Sequence, residues 1–453
     1  MSDEATPEAT PDTLPEQIGK YPVIRKLAEG ATSEVYLCHD PFNEREVAVK
    51  RIFPEALRNS VSGRVYRKLF LAEASLTGKL SHPHIVAIYD AVVEQESGYI
   101  VMEYVDGGTL EPHTSPDNLL PIDKIVEIVF KCTRALSYAN QLGVTHRDIK
   151  PGNILMSGPT DIKISDFGLA LSSGIDTTQI SGVGSPAYMS PEQIREQPLS
   201  QQTDIYSLGV VMYQLLTGEL PYQASNNFSM IYQITTTDPA PPSSLRDGIP
   251  MSVDRIVRKA MHKDQTRRYQ TWEDFAKDLA DAFRAESLSR KSEEFADSEK
   301  FNALRAMEFF RRFTDPELWE VASMGNWEKV PAGTTLMREG DLGDHFCLLV
   351  SGEVKVTKNK KLLNVLGAGE CFGEMSYLGT SDTHRSATII ALTDITLIEI
   401  VDEALEQSTE SCRSRFNAAF LALLVSRLES ANIRVSRLLV DGSLGASTAA
   451  AQP

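Results

Sequence analysis

The sequence predicts an α+β protein made of two unlike modules. Short alternating apolar runs fill residues 23–52, and helical spacing then dominates from about residue 122 to 283. From Trp327 onward, short alternating runs separated by glycine turns return, and the pattern after Glu403 is helical. A length of 453 residues allows two or three domains with substantial cores. We therefore expect a small β-rich lobe, a larger helical lobe, and then a β-roll with flanking helices.

The predicted boundaries follow shifts in composition. Residues 1–17 are rich in Pro, Thr, Ala, Asp and Glu and contain no Lys or Arg, which is typical of disorder. The segment Ser287–Ser298 is polar and weakly periodic, which is typical of a linker or of a short exposed helix. The predicted order is a disordered acidic tail (1–19), a first module (20–286), a linker (287–302), a second module with a C-terminal helix (303–440) and a disordered tail (441–453).

Each element has its own signal. In the first module we predict strands within 23–52, a helix over roughly 64–80, strands near 85–93 and 99–104, and then helices. The most apolar stretch, Leu208–Leu216, is too short to span a membrane and is interpreted as a buried helix. The predicted strands of the second module are Thr335–Met337, Phe346–Val350, Glu353–Thr357, Leu362–Leu366 and Ala387–Ile390.

Charge and cysteine usage narrow the class of protein. The net charge is -17, which argues against nucleic acid or an anionic membrane as a partner. The 5 cysteines are scattered and form no C-x-x-C pair, so we expect neither a metal site nor a disulfide framework. Because no signal segment begins the sequence, we expect a reducing, cytoplasmic location.

One segment carries most of the chemistry. His146-Arg147-Asp148-Ile149-Lys150-Pro151-Gly152-Asn153 is followed by Asp166-Phe167-Gly168. Asp148 is suited to accept a hydroxyl proton, and Lys150 is suited to neutralise charge on a transferred phosphoryl group. Asn153 and Asp166 supply the oxygen ligands that Mg²⁺ prefers. This order and spacing predict phosphoryl transfer from ATP to a protein hydroxyl.

A cation upstream completes the set. Lys50 ends the apolar run Val47-Ala48-Val49, and a lysine in such a strand needs an anionic partner. Glu73, in the following predicted helix, is the candidate that pairs with it and aims it at the ATP phosphates.

Residues 21–285 resemble the eukaryotic-like protein kinases, which implies the bilobal protein-kinase fold, ATP and Mg²⁺ as cofactors, and protein substrates. The lysine at position 150 is the form typical of Ser/Thr kinases. The resemblance further implies that Glu192 pairs with Arg268 and that Asp204 braces the catalytic loop. Met102 then corresponds to the gatekeeper, and Glu103–Val105 to the adenine-binding hinge. The alternative hypothesis to an active kinase is a pseudokinase scaffold.

The family's glycine-rich loop corresponds to Ala28–Val35, where only the central Gly30 remains. Ala28 and Ser33 replace glycines, but small residues still let the backbone approach phosphates. Val35 is the candidate that packs on adenine.

Arg147, directly before Asp148, suggests control by phosphorylation, because an arginine there can pair with a phosphate and order the activation loop. Candidate acceptors in that loop are Thr177, Thr178 and Ser181. Each is also interpretable as an ordinary loop hydroxyl.

The second module contains Phe372-Gly373-Glu374-Met375-Ser376 and then His384-Arg385-Ser386-Ala387-Thr388, which resemble the phosphate-binding cassette of cyclic-nucleotide-binding domains. By this resemblance, the helix that starts near Gly373 offers N–H groups to an anion. Glu374 accepts from the ribose 2′-OH, Arg385 pairs with the cyclic phosphate of cAMP or cGMP, and Ser386 adds a hydroxyl contact. The alternative is a β-roll for dimerisation or docking that binds no nucleotide, with Glu374 and Arg385 joined in a mutual salt bridge.

The C-terminal helix shows a coiled-coil-like seam at 4,3 spacing. Its members are Asn417, Leu421, Leu424, Leu428, Ala431, Val435 and Leu438. The seam predicts a homodimer. The alternative is a single broad apolar stripe that packs on its own domain.

Overall fold

The computed structural model contains two compact units, residues 1–292 and 293–453. It describes residues 14–30, 32–54, 67, 70–76, 78–93, 97–167, 186–287, 295–378 and 384–449. Within these ranges, no helix has both the length and the apolar character needed to cross a membrane.

The first unit begins with an antiparallel sheet in the order β1-β2-β3-β4-β6-β5. Its strands are β1 (Gln17–Ile18), β2 (Tyr21–Glu29), β3 (Ser33–Asp40), β4 (Arg45–Ile52), β5 (Ile88–Val93) and β6 (Gly98–Glu103). The helical segment 70–74 packs on one face through Phe70. Side chains alternate across β4, so Ala48 faces the cluster that contains Phe70, whereas Val47 and Val49 face the opposite cluster.

Helices form the second lobe of this unit. They are α1 (Ile122–Gln141), α2 (Pro191–Ile194), α3 (Gln201–Thr217), α4 (Asn227–Thr236), α5 (Met251–Ala260) and α6 (Trp272–Ser287). The predicted buried helix at Leu208–Leu216 is confirmed, because α3 is buried around nearly its whole circumference.

The hairpin of β7 (Ile154–Met156) and β8 (Ile162–Ile164) lies between α1 and α2 in the chain. It places Asn153 directly before β7, and Asp166 follows β8.

The second unit contains two four-stranded antiparallel sheets, in the orders β10-β15-β12-β13 and β14-β11-β16-β9. Their strands are β9 (Asn326–Val330), β10 (Thr335–Met337), β11 (His345–Ser351), β12 (Val354–Lys358), β13 (Lys361–Leu366), β14 (Cys371–Phe372), β15 (Thr388–Ala391) and β16 (Ile395–Val401). All five predicted strands are present. Strands β9, β14 and β16 were not predicted from the sequence.

Helices flank this β-roll. They are α7 (Asp297–Ala306), α8 (Asp315–Met324), α9 (Glu374–Leu378), α10 (Asp402–Glu406) and α11 (Glu410–Ala449). Phe416 and Phe420 of α11 are buried, and both rings contact Phe346 of β11. These aromatic contacts fix the first part of α11 to the sheet.

The structure differs from three predicted boundaries. The tail 1–19 ends earlier than predicted, because residues 17 and 18 pair with β2 and Ile18 is buried. The linker 287–302 overlaps α7, which begins at Asp297 and buries Phe301. The tail 441–453 is helical through residue 449, because α11 continues past the domain. In each case an ordered element extends into a segment that composition alone assigned to a tail or a linker.

Candidate active site and nucleotide-binding cassette

Lys50 connects three elements of the first unit. From β4, its ammonium donates to Glu73 Oε2 at 2.9 Å and to Asp166 Oδ1 at 2.5 Å. Burial alone would lower the pKa of Lys50, but the two carboxylates raise it above its usual value. Lys50 therefore stays protonated at neutral pH. The predicted pairing of Lys50 with Glu73 is present.

The catalytic loop gathers three of the predicted side chains. Lys150 Nζ donates to Asp148 Oδ2 at 2.8 Å. Asn153 Nδ2 donates to the backbone oxygen of Asp148 at 2.8 Å and to its Oδ2 at 3.1 Å. About a third of the Asp148 and Lys150 side chains is exposed, so both groups are accessible to a substrate.

Two backbone positions near this loop are held in the left-handed region, at Arg147 (φ 69°) and Asp166 (φ 61°). The buried Asp204 of α3 restrains the first, because its carboxylate accepts from the backbone N–H groups of His146 and Arg147, each at 2.7 Å. His146 Nε2 in turn donates to Ser165 O at 2.8 Å, which links the loop to the residue before Asp166. The brace by Asp204 implied by the resemblance is confirmed.

Asp166 and Asn153 fit a Mg²⁺ site by their chemistry. Both amide hydrogens of Asn153 are directed at Asp148, so its side-chain oxygen is available on the other side. Burial raises the pKa of the Asp166 carboxyl, but Lys50 outweighs it and the net shift is downward. An ionised carboxylate and an amide oxygen are hard ligands of the type that Mg²⁺ prefers.

An apolar cluster includes residues of the strand that carries Lys50. The predicted residues Val35, Met102 and Val105 all belong to it. Other members that were not predicted from the sequence include Leu27, Ala48 and Leu155. Spacing was the available signal, because Ala48 lies two residues before Lys50 and Leu155 two residues after Asn153. The predicted hinge residue Glu103 pairs its backbone N–H with Ala87 O at 2.9 Å.

The hairpin that contains Gly30 joins β2 to β3. Ala28 pairs with Val35, and the Gly30 N–H donates to Ser33 O at 2.8 Å. A tight hairpin of small residues is therefore present despite the missing glycines. The predicted phosphorylation sites Thr177, Thr178 and Ser181 lie outside the described residues.

Glu192 and Arg268 form a buried pair. Arg268 Nη1 and Nη2 donate to the two carboxylate oxygens of Glu192 at 2.6 and 2.8 Å. Burial raises the pKa of Glu192, but Arg268 outweighs this and lowers it. The pairing implied by the resemblance is confirmed.

In the second unit, the backbone conformation at position 373 requires a glycine. Its φ is 83°, and a Cβ there would lie 2.6 Å from Met337 Cε. Arg385 is buried, and its Nη1 donates to Gly373 O at 3.0 Å and to His345 O at 2.8 Å. The structure thus brings Gly373, Glu374 and Arg385 into one region, whereas Ser386 is exposed to solvent.

Glu374 forms its salt bridge with a residue other than Arg385, the partner considered from the sequence. Glu374 is 1% exposed and pairs with Arg427 of α11, not with Arg385. The mutual salt bridge was wrong because Arg385 is directed at backbone carbonyls. No sequence signal identified Arg427, since its contact depends on where α11 docks.

Family models match both units. One described as a protein kinase domain matches residues 21–279, and one described as a cyclic nucleotide-binding domain matches residues 327–411. Similar curated proteins include serine/threonine-protein kinase PknB of Mycobacterium leprae, 38% identical over 274 residues, which cover 59% of this chain and 43% of that protein. Serine/threonine-protein kinase PrkC of Bacillus subtilis is 36% identical over 275 residues, which cover 60% of this chain and 42% of that protein.

The chain matches less than half the length of these relatives. The kinase-domain match nevertheless covers more than half of the chain. The chain therefore belongs to the protein kinase family, and its second unit contains a cyclic nucleotide-binding domain.

Proposed function

We propose that the chain is a Ser/Thr protein kinase that transfers the ATP γ-phosphate to protein hydroxyls. The observation that carries this proposal is the contact of Lys50 with both Glu73 and Asp166. This contact brings a charged donor together with an ionised carboxylate, and His146 of the Asp148 loop donates to Ser165, the residue before that carboxylate. A pseudokinase scaffold would not need this complete set.

Each residue has a distinct role in this proposal. Lys50 orients the ATP phosphates, and Glu73 holds Lys50 in position. Asp148 accepts the proton of the substrate hydroxyl, while Lys150 offsets charge that develops on the phosphoryl group. Asn153 and Asp166 would hold Mg²⁺, which supplies charge neutralisation when it is bound.

The test is a phosphate-transfer assay on a generic protein substrate with the full chain. We expect activity in the wild type and its loss in Asp166→Ala. Asp247→Ala is the matched control, because Asp247 is an exposed aspartate elsewhere in the same unit. Transfer that is absent from the wild type, or that persists in Asp166→Ala, would favour the scaffold.

We further infer that phosphorylation of the segment 169–185 controls this activity, with Thr177, Thr178 and Ser181 as acceptors. The support is Arg147, whose backbone is held next to Asp148 by Asp204. Phosphopeptide mapping after incubation with ATP tests this inference, and a map without any site in that segment would contradict it.

Cyclic nucleotide is the proposed regulator of the kinase. The support is the family match together with the convergence of Gly373, Glu374 and Arg385. Titration calorimetry with cAMP and cGMP should show binding to the full chain and its loss in Arg385→Gln. Binding should persist in Arg338→Gln, an exposed arginine of the same unit. An absence of heat in the wild type would favour a β-roll that serves only docking.

We also propose that two copies associate through α11. The buried residues Phe416 and Phe420 form one face, whereas Leu421 and Leu428 of the predicted seam are 65% and 63% exposed. A single stripe packed on its own domain does not explain these exposed leucines. Light scattering should report a dimer that Leu421→Glu dissociates and Leu342→Glu, at an exposed loop leucine, leaves intact. A wild-type monomer at micromolar concentration would contradict the proposal.

A cytoplasmic location remains part of the proposal. Its support is that all five cysteines are buried free thiols, as expected in a reducing compartment.

A further inference from the structure

Three side chains with metal-binding atoms converge on neighbouring strands of the β-roll. His345 and Cys347 lie two residues apart on β11, so both point to the same face of the sheet. Glu399 of β16 is the cross-strand partner of Cys347. One nitrogen of His345, the Cys347 sulfur and one Glu399 oxygen all lie within 4.8 Å of one another.

The histidine is oriented as a ligand. Its Nδ1 donates to Asp344 Oδ1 at 2.7 Å, so in the neutral ring the atom left to bind a metal is Nε2, which lies 3.8 Å from Glu399 Oε2. A carboxylate behind a histidine is the usual outer partner of a metal-binding imidazole, because it fixes the tautomer and raises the basicity of the ring. The same geometry would also suit a plain ion pair between a charged His345 and Glu399.

The third donor is the sulfur of Cys347. Cys347 is only 3% exposed, and a thiol contributes nothing to an ion pair between His345 and Glu399. His, Cys and Glu are all residue types that bind Zn²⁺, and three protein ligands leave its fourth position open. Ligands bound at 2.0–2.3 Å in a tetrahedron are separated by about 3.3–3.8 Å, so closure requires side-chain movements of about 1 Å.

We propose that His345, Cys347 and Glu399 bind a divalent transition-metal ion of the zinc type, with solvent as the fourth ligand. A thiolate and a carboxylate together balance the charge of the ion. The side chains of His345 and Glu399 are 24% and 30% exposed, which gives the ion a path from solvent. The backbone carbonyl of His345 also accepts from Arg385, so the metal would stiffen the strand that positions the proposed phosphate ligand.

The test uses the full chain and Co²⁺ as a spectroscopic probe. We expect one equivalent of Co²⁺ to produce the near-ultraviolet charge-transfer band of a cobalt thiolate, and Zn²⁺ to displace it. Cys347→Ser should abolish the band. Cys412→Ser should retain it, because Cys412 is an equally buried cysteine of α11 outside the cluster.

Asp344→Asn keeps the test decisive if Cys347→Ser fails to fold. The Asp344 side chain is 85% exposed, so its replacement should leave the fold intact, as circular dichroism would show. Loss of this outer partner should weaken Co²⁺ binding about 10- to 100-fold. Unchanged affinity in Asp344→Asn, a band that persists in Cys347→Ser, or no band in the wild type would overturn the proposal.

Discussion

Arg427 of the C-terminal helix donates its Nη1 to Glu374 Oε1 at 2.5 Å, and its Nη2 donates to Cys371 O. The carboxylate that the family resemblance assigns to the ribose 2′-OH is therefore already paired with a cation. A nucleotide that donates to Glu374 has to share this carboxylate with Arg427 or displace it. The contact links the cassette to α11, the same helix that carries the exposed Leu421 and Leu428.

Replacement of Arg427 should tighten the binding of cyclic nucleotide. In Arg427→Gln, Glu374 is left buried without its cation, so a ribose hydroxyl gains more by donating to it. We expect the dissociation constant for cAMP or cGMP, whichever binds, to fall about tenfold, which corresponds to about 1.4 kcal/mol. Titration calorimetry on the full chain measures this change.

The 2′-deoxy analogue of the same nucleotide should show no such gain, because it lacks the donor. Arg415→Gln is the matched control, since Arg415 of the same helix pairs with a different carboxylate, Glu317. Equal tightening of nucleotide and deoxy analogue would contradict a direct contact between Glu374 and the ribose.

Lys50→Met should abolish most phosphoryl transfer while the fold is retained. Loss of the preorganised cation removes the group that links Glu73 and Asp166, and removal of one such donor typically lowers kcat about 10²- to 10³-fold. Steady-state kinetics with ATP and a generic protein substrate measures the effect. Lys79→Met replaces an exposed lysine of the same unit and should leave the rate of phosphoryl transfer unchanged. A rate within threefold of the wild type would contradict the proposed role of Lys50.

The pair of Arg268 and Glu192 should stabilise the kinase unit. Arg268→Met leaves the buried Glu192 carboxylate without its cation, which costs about 3–5 kcal/mol. Thermal unfolding of the full chain, followed at the transition that ATP shifts, should show a lower midpoint at neutral pH. Arg255→Met, on an exposed face of α5, should show no change.

The pH dependence of this pair has a defined sign. The pKa of Glu192 is lowered in the folded state, so the pair contributes stability above the ordinary glutamate pKa of 4.5 and loses it as pH falls through the lowered value. The difference between wild type and Arg268→Met should therefore narrow below pH 4.5. A difference that stays constant through this range would indicate that Glu192 does not titrate with the pair.

Lys263 should make stability rise with pH in the alkaline range. Burial lowers its pKa to about 8 from 10.5, and its ammonium donates to Ile234 O at 2.6 Å and to the Tyr222 hydroxyl. Between these two pKa values the unfolded chain binds more protons than the folded one, so the free energy of unfolding increases with pH. Burial also raises the pKa of Tyr206 and Tyr222, so in the folded state both titrate above this window.

Denaturant unfolding of wild type and Lys263→Met at pH 8 and pH 10 measures this effect. Since Lys263 is partly exposed, we expect the wild type to gain about 1–2 kcal/mol relative to the variant over this range. Parallel pH profiles for the two proteins would show that Lys263 keeps an ordinary pKa.

Much of the fold was predictable because its signals are local. The alternation of apolar and polar residues identified five strands of the β-roll, and a continuous apolar run identified the buried helix α3. Strand β16 was missed because its residues are mostly buried, so apolar and polar side chains do not alternate along it. The disordered tails and the linker were drawn too long because composition does not show which short segments find a partner to pack against.

The sequence by itself determined the order of the two modules and the proposed catalytic set. Asp148, Lys150 and Asn153 lie within six positions, so one short loop brings them together whatever surrounds it. Only the tertiary structure decided the partner of Glu374, which is a residue 53 positions away on α11. It also brought His345, Cys347 and Glu399 together, although cysteine spacing had argued against any metal site. Such contacts depend on strand register and helix docking, which are fixed by packing across the whole unit rather than by neighbouring residues.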